Sequence, residues 1–214
     1  MKKEEKIAVA KKAEETLLKL YPDAVCSLEY SSPFELLIAT RLSAQCTDKR
    51  VNIVTKDLFS KFKTPEDYAS ASVEEIGEVI KSCGLYKTKA ADIKKMAEML
   101  INEYNGKLPE TLEELLRFSG VGRKTANLIM GDIYGKPAVV TDTHFIRITG
   151  RLGLTESKEP YKVEKDLVKF LTPETSSDFC HRIVLFGRDV CTARNPKCKG
   201  CPMKDFCPSA KEEK

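Results

Sequence analysis

Four cysteines, Cys191, Cys198, Cys201 and Cys207, form a C-x6-C-x2-C-x5-C run within seventeen residues. Thiolates gathered this tightly repel one another unless a cation sits among them, so the run reads as a metal site. Zinc sites usually pair two short cysteine spacings, whereas here a single C-x2-C has two longer arms. That unevenness favours a [4Fe-4S] cube, whose corners stand farther apart than the ligands of one ion, with zinc as the alternative. A disulfide pair is the poorer reading, because eight cysteines in 214 residues fall well short of a secreted disulfide scaffold. The same segment carries Arg194, Lys197, Lys199 and Lys204 against one acid, Asp205. Cationic loops around a metal knot suit a polyanion.

The segment Phe118-Ser119-Gly120-Val121-Gly122-Arg123-Lys124-Thr125-Ala126 offers different chemistry. Two glycines flanking Val121 predict a tight hairpin, with a helix starting at about Arg123. A helix N-terminus presents free amides and a partial positive charge, which suits a phosphate. A lone G-x-G is more often a plain turn. Here Arg123 and Lys124 add two cations where the dipole disfavours them, which makes sense if an anion binds or if Lys124 works as a neutral amine. A lysine beside Arg123 at a positive helix end, partly desolvated, is expected to give up its proton more readily, as a Schiff-base nucleophile must. The plain alternative is a surface lysine. In Val140-Thr141-Asp142-Thr143-His144-Phe145-Ile146-Arg147, Asp142 reads first as a helix N-cap and His144 as a core or capping histidine.

These groups must be held by helices. Ser32-Pro33-Phe34-Glu35, Thr64-Pro65-Glu66-Asp67, Ser72-Val73-Glu74-Glu75 and Thr111-Leu112-Glu113-Glu114 are start signals ahead of apolar stripes. A long helix is expected from near Thr88 to Asn105-Gly106. Apolar residues recur at helical spacing in Ile93, Met96, Met99 and Leu100, and in Val163, Leu167, Val168 and Leu171. Ala138 to Thr141 is at best a short extended run. The class is all-α, and Lys136-Pro137 is the best candidate boundary. Hydrophobic residues make up 42% of the chain, and the net charge of +4 makes basicity a local matter. Lys81, Lys87, Lys89, Lys94 and Lys95 form one basic stretch, broken only by Asp92. Cys26, Cys46, Cys83 and Cys180 read as free thiols. With no secretory leader and no stretch able to span a bilayer, the expected setting is a reducing intracellular compartment.

Taken in this order, the three chemical segments resemble the endonuclease III family of helix-hairpin-helix DNA glycosylases. That family carries an L-P-G-V-G-R/K-K-T-A hairpin, a V-D-T-H motif and a C-x6-C-x2-C-x5-C loop. Its L-S-A-Q-x-T-D is matched by Leu42 to Asp48, and its G-L-Y by Gly84-Leu85-Tyr86. The resemblance runs from about residue 5 to the cysteines. It implies two helical domains, a helix-hairpin-helix domain at 25–136 and an iron-sulfur cluster domain at 1–24 plus 137–214, with a DNA-binding cleft between them. It implies Lys124 and Asp142 as catalytic residues and a [4Fe-4S] cluster on Cys191, Cys198, Cys201 and Cys207. It further implies that Gln45 fills the space left by a flipped base and that Leu85 wedges the opposite strand. Gly120, Gly122, Arg123, Arg147, Arg194 and Lys197 would grip DNA. Three departures stand out. Phe118-Ser119 replaces Leu-Pro, which is expected to loosen the hairpin; Thr141 replaces Val; and Asn195 replaces a common basic residue.

The expected function is a bifunctional DNA glycosylase and abasic-site lyase of base excision repair that removes oxidised pyrimidines and nicks by β-elimination. Its partner is double-stranded DNA with a damaged base or an abasic site. The protein is expected to be a cytoplasmic, nucleoid-associated monomer without membrane contact. A monofunctional mismatch or adenine glycosylase is the nearer alternative, disfavoured by Lys124 and by the end of the chain at Lys214. A non-catalytic DNA-binding module is the other, disfavoured by Lys124 and Asp142 together.

Overall fold

Polar side chains placed just ahead of apolar stripes start most of the helices. The computed structural model describes residues 1–210, and every regular element among the described residues is helical. In chain order these are α1 (Lys3–Leu20), α2 (Pro33–Ser43), α3 (Asp48–Lys61), α4 (Pro65–Ser70), α5 (Val73–Ile80) and α6 (Tyr86–Tyr104). There follow α7 (Leu112–Leu115), α8 (Arg123–Asp132), α9 (Thr143–Arg151), α10 (Pro160–Leu167) and α11 (Ser176–Asp189). Ser32, Thr64, Ser72 and Thr111 cap α2, α4, α5 and α7, each side chain accepting a backbone N–H three residues on. Asp67 and Glu75 reach back to close capping boxes. None of these helices is long and apolar enough to cross a membrane.

The structure departs from the expected elements at the start of α6 and at Val168. α6 begins at Tyr86 rather than Thr88, because Leu85, at φ 47°, already serves as its left-handed N-cap. It ends where expected: Asn105 and Gly106 both take positive φ, and the Gly106 N–H reaches back to the Leu100 carbonyl at 2.9 Å. Residues 138–141 are extended but form no strand. Their buried N–H groups are answered by α11 side chains, Ala138 by Ser176 Oγ (3.1 Å) and Val140 by Cys180 Sγ (3.2 Å). Val168 is 60% exposed and so does not share the buried stripe of Val163, Leu167 and Leu171.

The chain forms two compact units, one from Cys26 to Tyr134 and the other joining Met1–Val25 to the segment from Gly135 onward. In the first, α6 packs against α2, α4 and α5 and buries Ala90, Ile93, Met96, Ala97 and Leu100. In the second, α11 packs against both α1 and α9. There Ala10, Ala13 and Leu17 of α1 are buried, as are Phe179, Ile183 and Phe186 of α11, and Phe145 of α9 meets Phe179 edge-on.

Two of the five lysines in the basic stretch are not part of a solvated face. Lys89 is fully buried, and its Nζ donates to the carbonyls of Leu42 (2.9 Å), Ala44 (2.8 Å) and Cys83 (2.8 Å). Burial draws its pKa below the ordinary lysine value. Lys94 donates to the carbonyls of Ala69 and Ala71.

The capping boxes carry a pH signature. Hydrogen bonds from the Ser72 backbone and side chain hold the Glu75 carboxyl below its usual range. A lowered carboxyl pKa stabilises the fold above the unfolded value and loses that contribution as pH falls through the folded one. Glu75→Gln therefore lowers the urea midpoint at pH 7, and the gap to wild type narrows as pH drops below about 4.5, the unperturbed value.

Candidate functional site

The glycine hairpin is set by an ion pair from two other helices. Arg41 of α2 donates to Asp92 Oδ2 of α6 through Nε (2.8 Å) and Nη2 (2.7 Å), with both side chains 14% exposed. Asp92 Oδ1 accepts from the Ser119 hydroxyl at 2.7 Å. Gly120 lies directly over this pair with φ 71°, and a Cβ there would collide with Arg41 Nε and stand 2.8 Å from Asp92 Oδ2. Only glycine tolerates both the close approach and the left-handed backbone. Gly122 has open space around it. Phe118 and Val121 are buried, and Phe118 stacks on Tyr104 with ring centroids 5.4 Å apart. The expectation that Phe118-Ser119 loosens the hairpin is thus corrected: Ser119 ties it to α6.

The hairpin delivers the chain into α8, with Gly122 as N-cap and Arg123 and Lys124 in the first turn. The first-turn amides thus lie beside two cations, the arrangement expected of an anion site. Lys124 is exposed, not partly desolvated as the sequence suggested. In the same unit Gln45 and Leu85 each sit on a turn with positive φ, 57° and 47°. Gln45 is exposed, and Leu85 shows 57% of its surface, so it is no core leucine.

In the other unit Asp142 is the N-cap of α9, its Oδ1 accepting the Phe145 N–H at 2.7 Å. This fixes the carboxylate relative to the helix. His144 is half-buried, and burial lowers its pKa. The Arg147 Nη2 stands 3.1 Å from His144 Nδ1 and donates to the carbonyls of Gly187 (3.1 Å) and Cys191 (3.0 Å), with Nε also on Cys191. Arg147 was expected on a DNA phosphate; here its Nε and Nη2 hold the end of α11 and the start of the cysteine loop. Gly187 admits this approach, since a Cβ there would run into His144.

The four loop cysteines line one cavity of about 250 Å³, floored by Ile148, Phe186 and Met203. Among the described residues no three His, Cys, Asp or Glu side chains converge as ligands of a single ion would. Burial first, and then the neighbouring thiols, push Cys201 and Cys207 upward, a penalty that a bound cation relieves. Arg151, which the sequence reading missed, donates to Cys191 Sγ at 3.1 Å and to the carbonyls of Thr192 (2.8 Å) and Ala193 (2.9 Å). No local signal pointed to it, since its partners lie 40 to 42 residues away in the chain. Arg194 and Lys197 are exposed. Asn195 closes the loop through its carbonyl, which accepts from Thr192 Oγ1 at 2.7 Å.

Comparison with known proteins gives concordant matches. Residues 38–173 match the family described as HhH-GPD superfamily base excision DNA repair protein, and residues 191–207 match the iron-sulfur binding domain of endonuclease III. The chain is 46% identical to endonuclease III of Bacillus subtilis (strain 168), over 88% of this chain and 86% of that one. It is 40% identical to endonuclease III of Escherichia coli (strain K12), over 87% and 88%. Among solved structures, a trapped endonuclease III–DNA covalent intermediate superposes with a TM-score of 0.88 at 44% identity, covering 94% of each chain. A thermostable thymine-DNA glycosylase gives a TM-score of 0.86 at 26% identity, covering 95% and 97%.

Two variants test this geometry. Asp92→Ala leaves Arg41 without its carboxylate in a nearly buried setting and frees Ser119, and should lower stability by about 3 kcal/mol in urea titration. Arg151→Met removes donors to Cys191 and to two loop carbonyls. The purified variant should hold less iron and sulfide per chain than wild type and lose its visible absorption about tenfold faster in chelator, on the order of effects seen for outer-shell partners.

Proposed function

The chain belongs to the HhH-GPD superfamily of base excision DNA repair proteins, in its endonuclease III family, and from that premise we propose how its residues divide the work. It is a bifunctional DNA glycosylase and abasic-site lyase that acts on damaged double-stranded DNA, and it carries a [4Fe-4S] cluster. Oxidised pyrimidines are the substrate class we assign, and the nucleoid is the place of action.

The observation that carries the assignment is Lys124, exposed in the first turn of α8 directly after a hairpin braced by Arg41, Asp92 and Ser119. The amine of Lys124 attacks C1′ of the extruded nucleotide, and the C1′–N bond breaks with its electron pair leaving on the base. The amine nitrogen loses a proton, and its lone pair then expels O4′, which takes up a proton as the C1′–O4′ bond breaks, leaving a protonated imine on the opened sugar. A proton then leaves C2′, the C3′–O bond breaks, and the strand is cut with the phosphate as leaving group. The Asp142 carboxylate, oriented by the Phe145 N–H, stabilises the positive charge that develops on the sugar. Backbone amides at Gly120 and Gly122, with Arg123, hold the phosphates beside the lesion. Arg194 and Lys197 add contacts from the cysteine loop. Gln45 occupies the vacated stack and Leu85 enters the opposite strand. Cys191, Cys198, Cys201 and Cys207 hold the cluster, which when bound cross-links a loop with little secondary structure of its own. Arg147 and Arg151 secure the start of that loop.

The likeness to a thymine-DNA glycosylase gives a mismatch-specific reading some support, but a monofunctional enzyme has no use for an amine at position 124. Borohydride reduction should trap wild-type protein covalently on a duplex carrying an oxidised pyrimidine. Lys124→Gln should abolish both trapping and nicking while retaining iron and most duplex affinity. Asp142→Asn should bind well yet cut at least about 100-fold more slowly, because it removes a charge felt chiefly in the transition state. Trapping of Lys124→Gln at wild-type yield would place the nucleophile elsewhere.

A further inference from the structure

Only three non-glycine residues among the described ones have positive φ: Gln45, Leu85 and Asn105. Asn105 is accounted for as the end of α6, followed by Gly106. Gln45 and Leu85 have no such local reason. A left-handed backbone costs a side-chain-bearing residue roughly 1–2 kcal/mol, so something must hold each turn. The two turns meet at one atom. Lys89 Nζ binds the carbonyls of Leu42 and Ala44, which lead into Gln45, and the carbonyl of Cys83, which leads through Gly84 into Leu85. The Lys89 N–H also donates to the Leu85 carbonyl at 3.0 Å.

We propose that Lys89 is a positioning residue for base extrusion: its buried ammonium gathers both turns on one centre and keeps Gln45 and Leu85 raised before DNA arrives. An aliphatic side chain could fill the same space, but it could not draw three carbonyls from two separate turns to one point. An ammonium offers three donors in a fixed tripod, and here all three are used. The result is an exposed apolar side chain and an exposed amide held at a set separation on strained backbone. Holding the pair ready lowers the ordering that DNA binding would otherwise require. The proposal rests on the roles assigned above to Gln45, Leu85 and Lys124.

The test compares a substrate that needs a wedge with one that does not. Lys89→Met keeps length and apolar volume and removes the donors. On a duplex carrying an oxidised pyrimidine its single-turnover rate should fall at least about tenfold, as expected when positioning is lost. On single-stranded DNA with a preformed abasic site there is no partner strand to enter, and borohydride trapping should stay within about twofold of wild type. Leu85→Ala should slow the wild-type protein on the duplex yet add less than about twofold to Lys89→Met, since the two act as one unit. Equal losses on both substrates, or none on the duplex, would overturn the proposal. If Lys89→Met does not fold, amide relaxation of the wild-type protein decides. Gln45 and Leu85 should show order parameters of about 0.85, like the flanking helices, without DNA, and values under about 0.6 would sink the idea. Failure of the wild type itself to trap on the single strand would count against Lys124, and the order parameters of Gln45 and Leu85 would then decide for Lys89.

Discussion

Every helix ends in carbonyls that have no partner within it, and a chain built only of helices accumulates them. In this protein cationic side chains collect them. Lys89 takes Leu42 and Ala44 at the end of α2, and Lys94 takes Ala69 and Ala71 at the end of α4. Arg182 reaches the Tyr21 carbonyl at the end of α1. Arg147 takes Gly187 and Cys191 at the end of α11, and Arg151 the carbonyls that follow. Such contacts join a favourable dipole interaction to hydrogen bonding, and each ties a loop to a helix distant in sequence. The turns of Gln45 and Leu85 and the cysteine loop depend on this device.

It also explains what the sequence concealed. Helix starts are local, so Ser32, Thr64, Ser72, Thr111 and Asp142 were legible as caps from three or four residues each. The hairpin, its helix and the cysteine loop were legible because their spacing is their chemistry. A lysine that gathers carbonyls, in contrast, looks like any other lysine of a basic stretch. Lys89 and Lys94 were legible only as members of that stretch, because their partners are backbone carbonyls that bear no side-chain signal. Ser119 was read as a weakness because its partner Asp92 is 27 residues away. Gln45 and Leu85 could be named from the family resemblance, but only the backbone reveals that both are strained.

The hairpin and the cysteine loop solve one problem in opposite ways. Each must keep an irregular backbone fixed. The hairpin does so by close packing: Gly120 rests on an ion pair, and Phe118 and Val121 anchor it from below. The loop has almost no buried apolar side chain besides Met203, and a cluster held by its four cysteines would take the place of a core. Shielding from solvent follows the same division. The Arg41–Asp92 pair is nearly buried, whereas Arg194 and Lys197 stand in water, where salt screens them.

The unit that contains the cysteine loop is discontinuous, with α1 at one end of the chain and α11 near the other. During synthesis the apolar seam of α1, built from Ala10, Ala13 and Leu17, emerges first and has to wait for α11. At roughly 5–20 residues per second the delay is on the order of ten seconds or more. The segment from Cys26 to Tyr134 is finished well within it and can complete its own core meanwhile. Birth order on the ribosome therefore favours a folded hairpin unit tethered to an unpaired, charge-studded helix. The lysines and glutamates that surround that seam keep it dissolved until its partner arrives.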